Sequence, residues 1–146
     1  MSYPSLAAGI LGVWRLRAFE SHRPGSPVRH PFGREATGLL IYAADGTMSG
    51  QLMRPGRPVF ASATIVGGTD AELRAAATGY VAYAGTFEID EVRRVVLHRV
   101  SMSLFPNLVG TVQERMVALD GDTLELRTTD GARLVWERPA GRSLQA

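Results

Sequence analysis

One histidine lies in a segment whose alternation of residue types predicts a half-buried β-strand. Along residues 92–102 the even positions carry Val96, His98, Val100 and Met102, the more apolar set, which such a strand turns inward. Burial disfavours the charged form of an imidazole, so we expect His98 to be neutral near physiological pH. We interpret His98 as a candidate general acid or base on an enolisable or phenolic ligand. The alternative is a core histidine hydrogen-bonded to a neighbouring strand.

A second polar pair is predicted inside the same structure. In residues 113–119 the odd positions include Gln113 and Arg115 together with the two larger aliphatic side chains, which favours turning this set inward. A guanidinium in an apolar interior is costly unless it is paired. Arg115 therefore needs either Glu88, in the neighbouring hairpin, or an anionic or carbonyl-bearing ligand. The opposite alternation would turn Arg115 outward and remove this role. His98 and Arg115 are the candidate catalytic residues.

Several other side chains are candidates for ligand contact. A methionine adapts to varied ligand shapes, and a phenol hydroxyl or an amide near a cavity mouth offers hydrogen bonds. The predicted ligand-binding residues are Gln51, Met53, Gln113, Tyr42, Tyr83, Phe105 and Asn107. The alternatives are ordinary core packing or solvent exposure of these side chains. For Asn107 the alternative is a turn in which its side chain bonds its own backbone.

Composition excludes several kinds of chemistry. All 16 basic residues are arginine, and the chain contains neither lysine nor cysteine. Schiff-base lysines, P-loop lysines, thiol nucleophiles, disulfides and thiolate metal sites are therefore excluded. The three histidines, His22, His30 and His98, show no paired spacing on one element, so no metal is expected. Nucleotide-binding, α/β-hydrolase and zincin motifs are absent, and we expect no cofactor.

Charge and hydropathy limit the choice of partners. The net charge is +2 and the arginines are dispersed, which does not favour a nucleic-acid partner. No apolar run reaches the roughly 18 residues that a membrane span requires, so no membrane partner is expected. Residues 1–9 do not have the pattern of a secretion signal, and we expect a cytoplasmic protein. Exposed arginines and barrel edges would allow a homodimer, although nothing in the pattern requires one.

Turn signals divide the chain into short strands. Its 146 residues fit one domain, 1–146, of ordinary size. Asp-Gly pairs at 45–46, 120–121 and 130–131, each between β-type residues, are strong hairpin signals. Residues 12–20 are predicted to form an opening strand. The predicted hairpins pair 38–43 with 47–53, 85–90 with 92–102, 113–119 with 123–128, and 123–128 with 133–138.

One segment has a helical pattern instead. Thr69 and Glu72 form a capping box before an alanine-rich stretch. Apolar residues then recur at helical spacing, which predicts one short helix from about Asp70 to about Tyr83. This helix could cover or plug one end of the sheet.

Blocks of sequence along nearly the whole chain, about 11–138, resemble the bacterial lipocalin-like domain family. The blocks are Gly12–Leu16 with its Gly-x-Trp signature, 38–42, 45–49, 51–55, 103–107 with Gly110 and Thr111, and 134–138. The resemblance implies an all-β fold, a closed antiparallel barrel of about eight strands whose interior suits a small, largely apolar molecule. It also implies that Trp14 packs under Arg138 and closes one end of the barrel, a structural role for both.

Together these features favour a barrel that binds a small, oxygen-bearing, polyketide-like hydrophobic ligand. The leading interpretation is an enzyme of secondary metabolism that folds this ligand for cyclisation, isomerisation or dehydration without a cofactor. His98 would move a proton, while Arg115 with Gln113 would stabilise negative charge on a carbonyl oxygen. The alternatives are a carrier that makes the same contacts without turnover, and a filled barrel with no cavity.

Overall fold

The chain forms a closed antiparallel barrel of eight strands, as a computed structural model that describes residues 5–140 shows. Each strand pairs with the next along the chain, and the first also pairs with the last. The strands are β1 Gly12–Ser21, β2 Thr37–Tyr42, β3 Thr47–Met53, β4 Tyr80–Asp90, β5 Val95–Ser103, β6 Val112–Asp120, β7 Thr123–Arg127 and β8 Ala132–Glu137. Two α-helices, α1 Leu6–Gly9 and α2 Asp70–Thr78, and a 3₁₀ turn, Pro106–Leu108, complete the described elements. The predicted fold class is confirmed.

The predicted hairpins place polar turns between short strands. The turn between β2 and β3 is typical: Gly46 has a φ of 91°, which a residue with a Cβ rarely adopts. The Asp45 carboxylate accepts a hydrogen bond from the Thr47 amide at 2.9 Å and fixes the turn. These turns bring the even positions of β2 and β3 to the barrel interior, where Leu40, Tyr42 and other side chains are buried.

One end of the barrel is sealed by α1. Leu6 and Ile10 are fully buried there, and the indole Nε1 of Trp14 donates to the Ile10 carbonyl oxygen at 2.8 Å. The helix N-terminus is fixed by Glu91, whose carboxylate accepts from the amides of Leu6 at 3.0 Å and of residue 7 at 2.9 Å. This end therefore has an apolar plug attached to the β4–β5 turn.

The guanidinium of Arg138 lies over the Trp14 ring, 3.8 Å from its centroid, as the family resemblance implies. Its Nη2 donates to the Gly9 carbonyl oxygen at 2.9 Å. Gly12 has a φ of 110°, and a Cβ at this position would lie 2.8 Å from Arg138 Nη1. The glycine of the Gly-x-Trp signature thus leaves the space that the arginine occupies.

A bulge between β4 and β5 changes the expected alternation. Gly85 pairs with Val100, but the next pair joins Ala84 to Met102, so β5 has one extra residue. Because of the extra residue, Met102 is 65% exposed. The prediction that Met102 faces inward beside His98 is wrong for this reason.

The predicted helix is shorter than expected. It begins at Asp70 after the predicted Thr69–Glu72 capping box, but it ends at Thr78 instead of near Tyr83. Tyr80 instead pairs with Met53 in the sheet, because tertiary pairing overrides the helical spacing of the apolar residues. None of the residues of α2 is buried, so this segment lies on the surface.

Closure of the sheet also affects the expectation that barrel edges would allow a homodimer. All eight strands have a hydrogen-bonded neighbour on both sides, so within residues 5–140 the barrel offers no free strand edge for a dimer. In the same residues no helix is long and apolar enough to cross a membrane.

Replacing Gly85 by alanine should destabilise the protein strongly. A Cβ at Gly85 would lie 1.8 Å from the Arg99 carbonyl oxygen across the bulge, so backbone must move. We expect Gly85→Ala to lower the free energy of unfolding by about 2 kcal/mol or more in urea denaturation. Gly50→Ala is the matched control, because its Cβ would meet no atom closer than 3.4 Å. Equal stabilities of the two variants would contradict this account of the bulge.

Candidate functional site

A cavity of about 250 Å³ occupies the half of the barrel away from α1. Its wall is largely apolar and is formed by Phe19, Leu40, Leu52, Leu126, Leu134 and Trp136. Its polar lining groups include Tyr83, His98 and Arg115. An apolar enclosure with a few convergent polar groups is the usual form of a small-molecule site.

A second, larger cleft of about 400 Å³ lies outside the barrel on the loop after β1. Its lining includes Arg23 and Arg29, which are exposed. Exposed arginines in a long loop do not form a fitted enclosure, so the interior cavity is the candidate site.

His98 lies at the floor of the cavity between two phenols. Its Nε2 is 2.6 Å from the Tyr42 hydroxyl, and its Nδ1 is 2.5 Å from the Tyr83 hydroxyl. The sheet sets this arrangement, because Phe87 and Gln113 are the cross-strand partners of His98 on β4 and β6. Only 2% of His98 is exposed. Both ring nitrogens are therefore engaged within the protein.

Burial controls the ionisation of these three groups. It lowers the pKa of His98 from 6.5 to about 3, and the positive charge of Arg115 acts in the same direction. Burial raises the pKa of Tyr42 well above 10. It also raises the pKa of Tyr83, while the charge and hydrogen bonding of Arg115 oppose that rise. The imidazole and both phenols are thus neutral at physiological pH.

Arg115 brings a positive charge to the cavity. The pKa of Asp130, which lines the same cavity, is lowered by a hydrogen bond from Thr128 and also by the charge of Arg115. The Nη1 of Arg115 donates to the Glu114 carbonyl oxygen at 2.9 Å, and among the described residues Arg115 forms no ion pair. The expected partner Glu88 is exposed and instead bonds Arg99, with 3.1 Å between Oε1 and Nε. The prediction of an internal Glu88–Arg115 pair is wrong, because alternation places Glu88 on the outer face of β4.

The structure brings four of the predicted site residues to the cavity. His98, Arg115, Tyr83 and Gln51 line it. The Gln51 side chain accepts a hydrogen bond from the Tyr80 hydroxyl. Tyr42 is fully buried and contacts the site only through His98.

The other predicted ligand contacts lie elsewhere. Gln113 is half-buried and donates to the Thr111 hydroxyl at 2.8 Å. Met53 is 37% exposed because it follows the inward-facing Leu52 on β3. Phe105 and Asn107 are exposed in the connection that contains the 3₁₀ turn. None of these four side chains lines the cavity, so a ligand role for them stays a prediction that this cavity does not support.

Other cavity residues escaped the sequence interpretation as ligand contacts. Thr128 and Asp130 line the cavity, although the Asp130-Gly131 pair indicated only a turn. The Thr128 hydroxyl donates to the Asp130 carboxylate and accepts from the Ala132 amide at 2.9 Å, so both are held by the turn. Trp136 could have been predicted to line the cavity, because it lies two residues after Leu134 and therefore on the same face of β8. Its indole nitrogen is the one buried side-chain polar atom without a hydrogen-bond partner in the described part of the chain.

No cluster of three or more potential ligands for a metal ion occurs in residues 5–140. The polar groups at the cavity floor can donate and accept hydrogen bonds and can stabilise negative charge on a ligand oxygen. Direct proton transfer from His98 to a ligand would first require one of its tyrosine contacts to break.

Comparisons with known proteins find a family model, a similar protein of named function and a similar solved structure. Residues 11–141 match the family model described as lipocalin-like domain. Over 87 residues the chain is 45% identical to the 4'-hydroxy-3'-methoxypropiophenone carrier protein ppsC of Aspergillus oryzae, covering 56% of this chain and 78% of that protein. A solved structure of the lipoprotein YedD from Klebsiella pneumoniae is similar over 95% of this chain and 80% of that one, with a TM-score of 0.43 and 12% identity.

Burial of neutral His98 should make stability depend on pH. The unfolded chain takes up a proton on this imidazole below about pH 6.5, whereas the folded protein does so only near pH 3. The free energy of unfolding contributed by His98 is therefore complete above pH 6.5 and is lost as the pH falls through this window. Between pH 7 and pH 5 we expect a loss of about 2 kcal/mol that His98→Gln does not show.

Urea denaturation at several pH values measures this dependence. His22→Gln, which alters a surface histidine, is the matched control. Equal pH dependence in the wild type and His98→Gln would contradict the effect of burial on His98.

Proposed function

The chain belongs to the lipocalin-like domain family, and on this premise we propose that it is a carrier of a small, largely apolar, oxygen-bearing metabolite. The observation that carries the proposal is the interior cavity of about 250 Å³, with an apolar wall and a polar floor. This volume lies near the lower end for small-molecule sites, so it fits a compact aromatic or polyketide-like compound. The protein would bind this compound and release it unchanged.

The name of the Aspergillus relative supports the chemical class. That protein is named a carrier of 4'-hydroxy-3'-methoxypropiophenone, an aromatic ketone. A ring of this kind would pack against Phe19 and Trp136, and its oxygen atoms would find donors at Tyr83 and Arg115.

Catalysis is the second candidate. Cofactor-independent cyclisation, isomerisation or dehydration would use the same cavity. The positive charge of Arg115 favours this candidate, because it could stabilise an enolate. The carrier is favoured over the enzyme because both nitrogens of His98 are occupied and its pKa of about 3 keeps it neutral. A proton donor or acceptor for turnover is therefore not directly presented by the imidazole.

Binding and recovery of a defined probe test the proposal. We expect 4'-hydroxy-3'-methoxypropiophenone to bind with one site by titration calorimetry and to quench tryptophan fluorescence, since Trp136 lines the cavity. Mass spectrometry of the probe after incubation should show it unaltered. Recovery of a cyclised, isomerised or dehydrated compound would support the enzyme instead. No binding of this probe, related ketones or a hydrophobic dye would overturn both and favour a filled barrel.

Bulk added at Gly50 should weaken binding. Its Cβ would point between Leu40 and Tyr83 at distances of 3.4 Å and 3.9 Å, so the methyl groups of Gly50→Val would enter the cavity. We expect the Kd for the probe to rise about tenfold or more in calorimetry, a change of about 1.4 kcal/mol. Ser49→Val is the control, because it places the same side chain at the adjacent position on the outer face of β3. An unchanged Kd in Gly50→Val would place the probe outside the barrel.

A further inference from the structure

The chain of hydrogen bonds at the cavity floor has a direction that can be derived by counting protons. Tyr42, His98 and Tyr83 make two hydrogen bonds, one at each imidazole nitrogen. A neutral imidazole carries one N–H, and each phenol carries one O–H. Three protons are therefore available for two hydrogen bonds. The imidazole N–H occupies one bond and the O–H of one phenol occupies the other, so the second phenol must direct its O–H away from the histidine.

The burial of Tyr42 determines which of the two phenols donates its O–H to the histidine. Tyr42 is fully buried, and His98 is its one hydrogen-bond partner among residues 5–140. If Tyr42 accepted from the imidazole, its own O–H would be left buried without an acceptor, which is unfavourable. Tyr42 therefore donates to Nε2, so the proton of His98 is on Nδ1.

The direction of the remaining bond follows from this tautomer. Nδ1–H of His98 donates to the Tyr83 oxygen, and the Tyr83 hydroxyl proton must point elsewhere. Tyr83 lines the cavity, whereas Tyr42 does not. This series of hydrogen bonds thus leaves the O–H of Tyr83 directed toward the cavity, where a ligand would bind. Hydrogen bonds in series polarise this donor.

Arg115 supplies a second donor to the same space. Its guanidinium lines the cavity, acts on Tyr83 by charge and hydrogen bonding, and forms no ion pair in the described residues. A guanidinium has donors only. The Asp130 carboxylate in the lining already accepts a hydrogen bond from Thr128. Tyr83 and Arg115 are therefore left as donors, and the ligand must provide their acceptor.

We propose that Tyr83 and Arg115 form a two-donor receptor for one carbonyl oxygen of the ligand, with Tyr42 and His98 as the positioning residues that direct the Tyr83 hydroxyl. The proposal rests on the proposed function and names its ligand class as conjugated ketones, whose carbonyl oxygen accepts hydrogen bonds and carries partial negative charge. A ligand that has a methylene group in place of the carbonyl leaves both donors unpaired and binds more weakly.

The tautomer of His98 tests the direction of the chain without any ligand. Nitrogen NMR of protein labelled with ¹⁵N-histidine distinguishes a protonated Nδ1 from a protonated Nε2, and His98→Gln assigns the signal. We expect His98 to be protonated on Nδ1 at neutral pH. A proton on Nε2 would overturn the proposal, because Tyr83 would then donate to the histidine and not to the cavity.

Matched ligands test the receptor. 4'-Hydroxy-3'-methoxypropiophenone and 2-methoxy-4-propylphenol differ only in the exchange of the carbonyl for a methylene. We expect the wild type to prefer the ketone, and Tyr83→Phe to reduce the ratio of the two affinities about three- to tenfold. Arg115→Gln should reduce the same ratio, while the affinity for the methylene compound changes little.

One control separates this role from a loss of structure. Arg99→Gln removes an exposed guanidinium that bonds Glu88 on the outer face of the barrel, and it should leave the ratio unchanged. An equal loss of affinity for both compounds in Tyr83→Phe would overturn the receptor. If neither compound binds the wild type, the proposed function fails, while the NMR experiment still reports the direction of the hydrogen-bond chain.

Discussion

A polar side chain inside a closed barrel can be satisfied only by other groups within the barrel, and this constraint shapes the whole interior. His98 is almost fully buried, and two phenols from other strands occupy its nitrogens. The same burial keeps all three groups neutral. Charge is retained farther from His98 in the cavity lining, at Arg115 and Asp130. The polarity of the site therefore decreases from the open half of the barrel toward the α1 plug.

Two glycines make room for this arrangement. Gly85 lets β5 approach closely at the bulge, and the extra residue there turns Met102 to the surface. Gly50 leaves open the space beside Tyr83 that a side chain would fill. The cavity thus results from small residues and irregular pairing at particular positions, within a wall of large apolar side chains that would otherwise meet.

Asp-Gly turn signals predicted hairpins, and period-two alternation predicted the inward positions of His98 and Arg115, because both kinds of signal are local in the sequence. It could not predict which residues meet across the barrel. The pairing of Arg99 with Glu88, the outward turn of Met102 and the joint contact of Tyr42 and Tyr83 with His98 depend on register and on a bulge. Tyr80 shows a similar limit, since pairing with Met53 ends the helix early.

The plug formed by Leu6, Ile10 and Trp14 has a kinetic consequence. With this end filled, the cavity lies in the opposite half of the barrel. In the carrier proposed above, a ligand that enters and leaves through that half could not be pushed out ahead of an incoming molecule, so exchange would proceed by departure first and entry second. The residence time of the bound ligand would then set the fastest rate of exchange, and raising the concentration of a competing ligand would not shorten it.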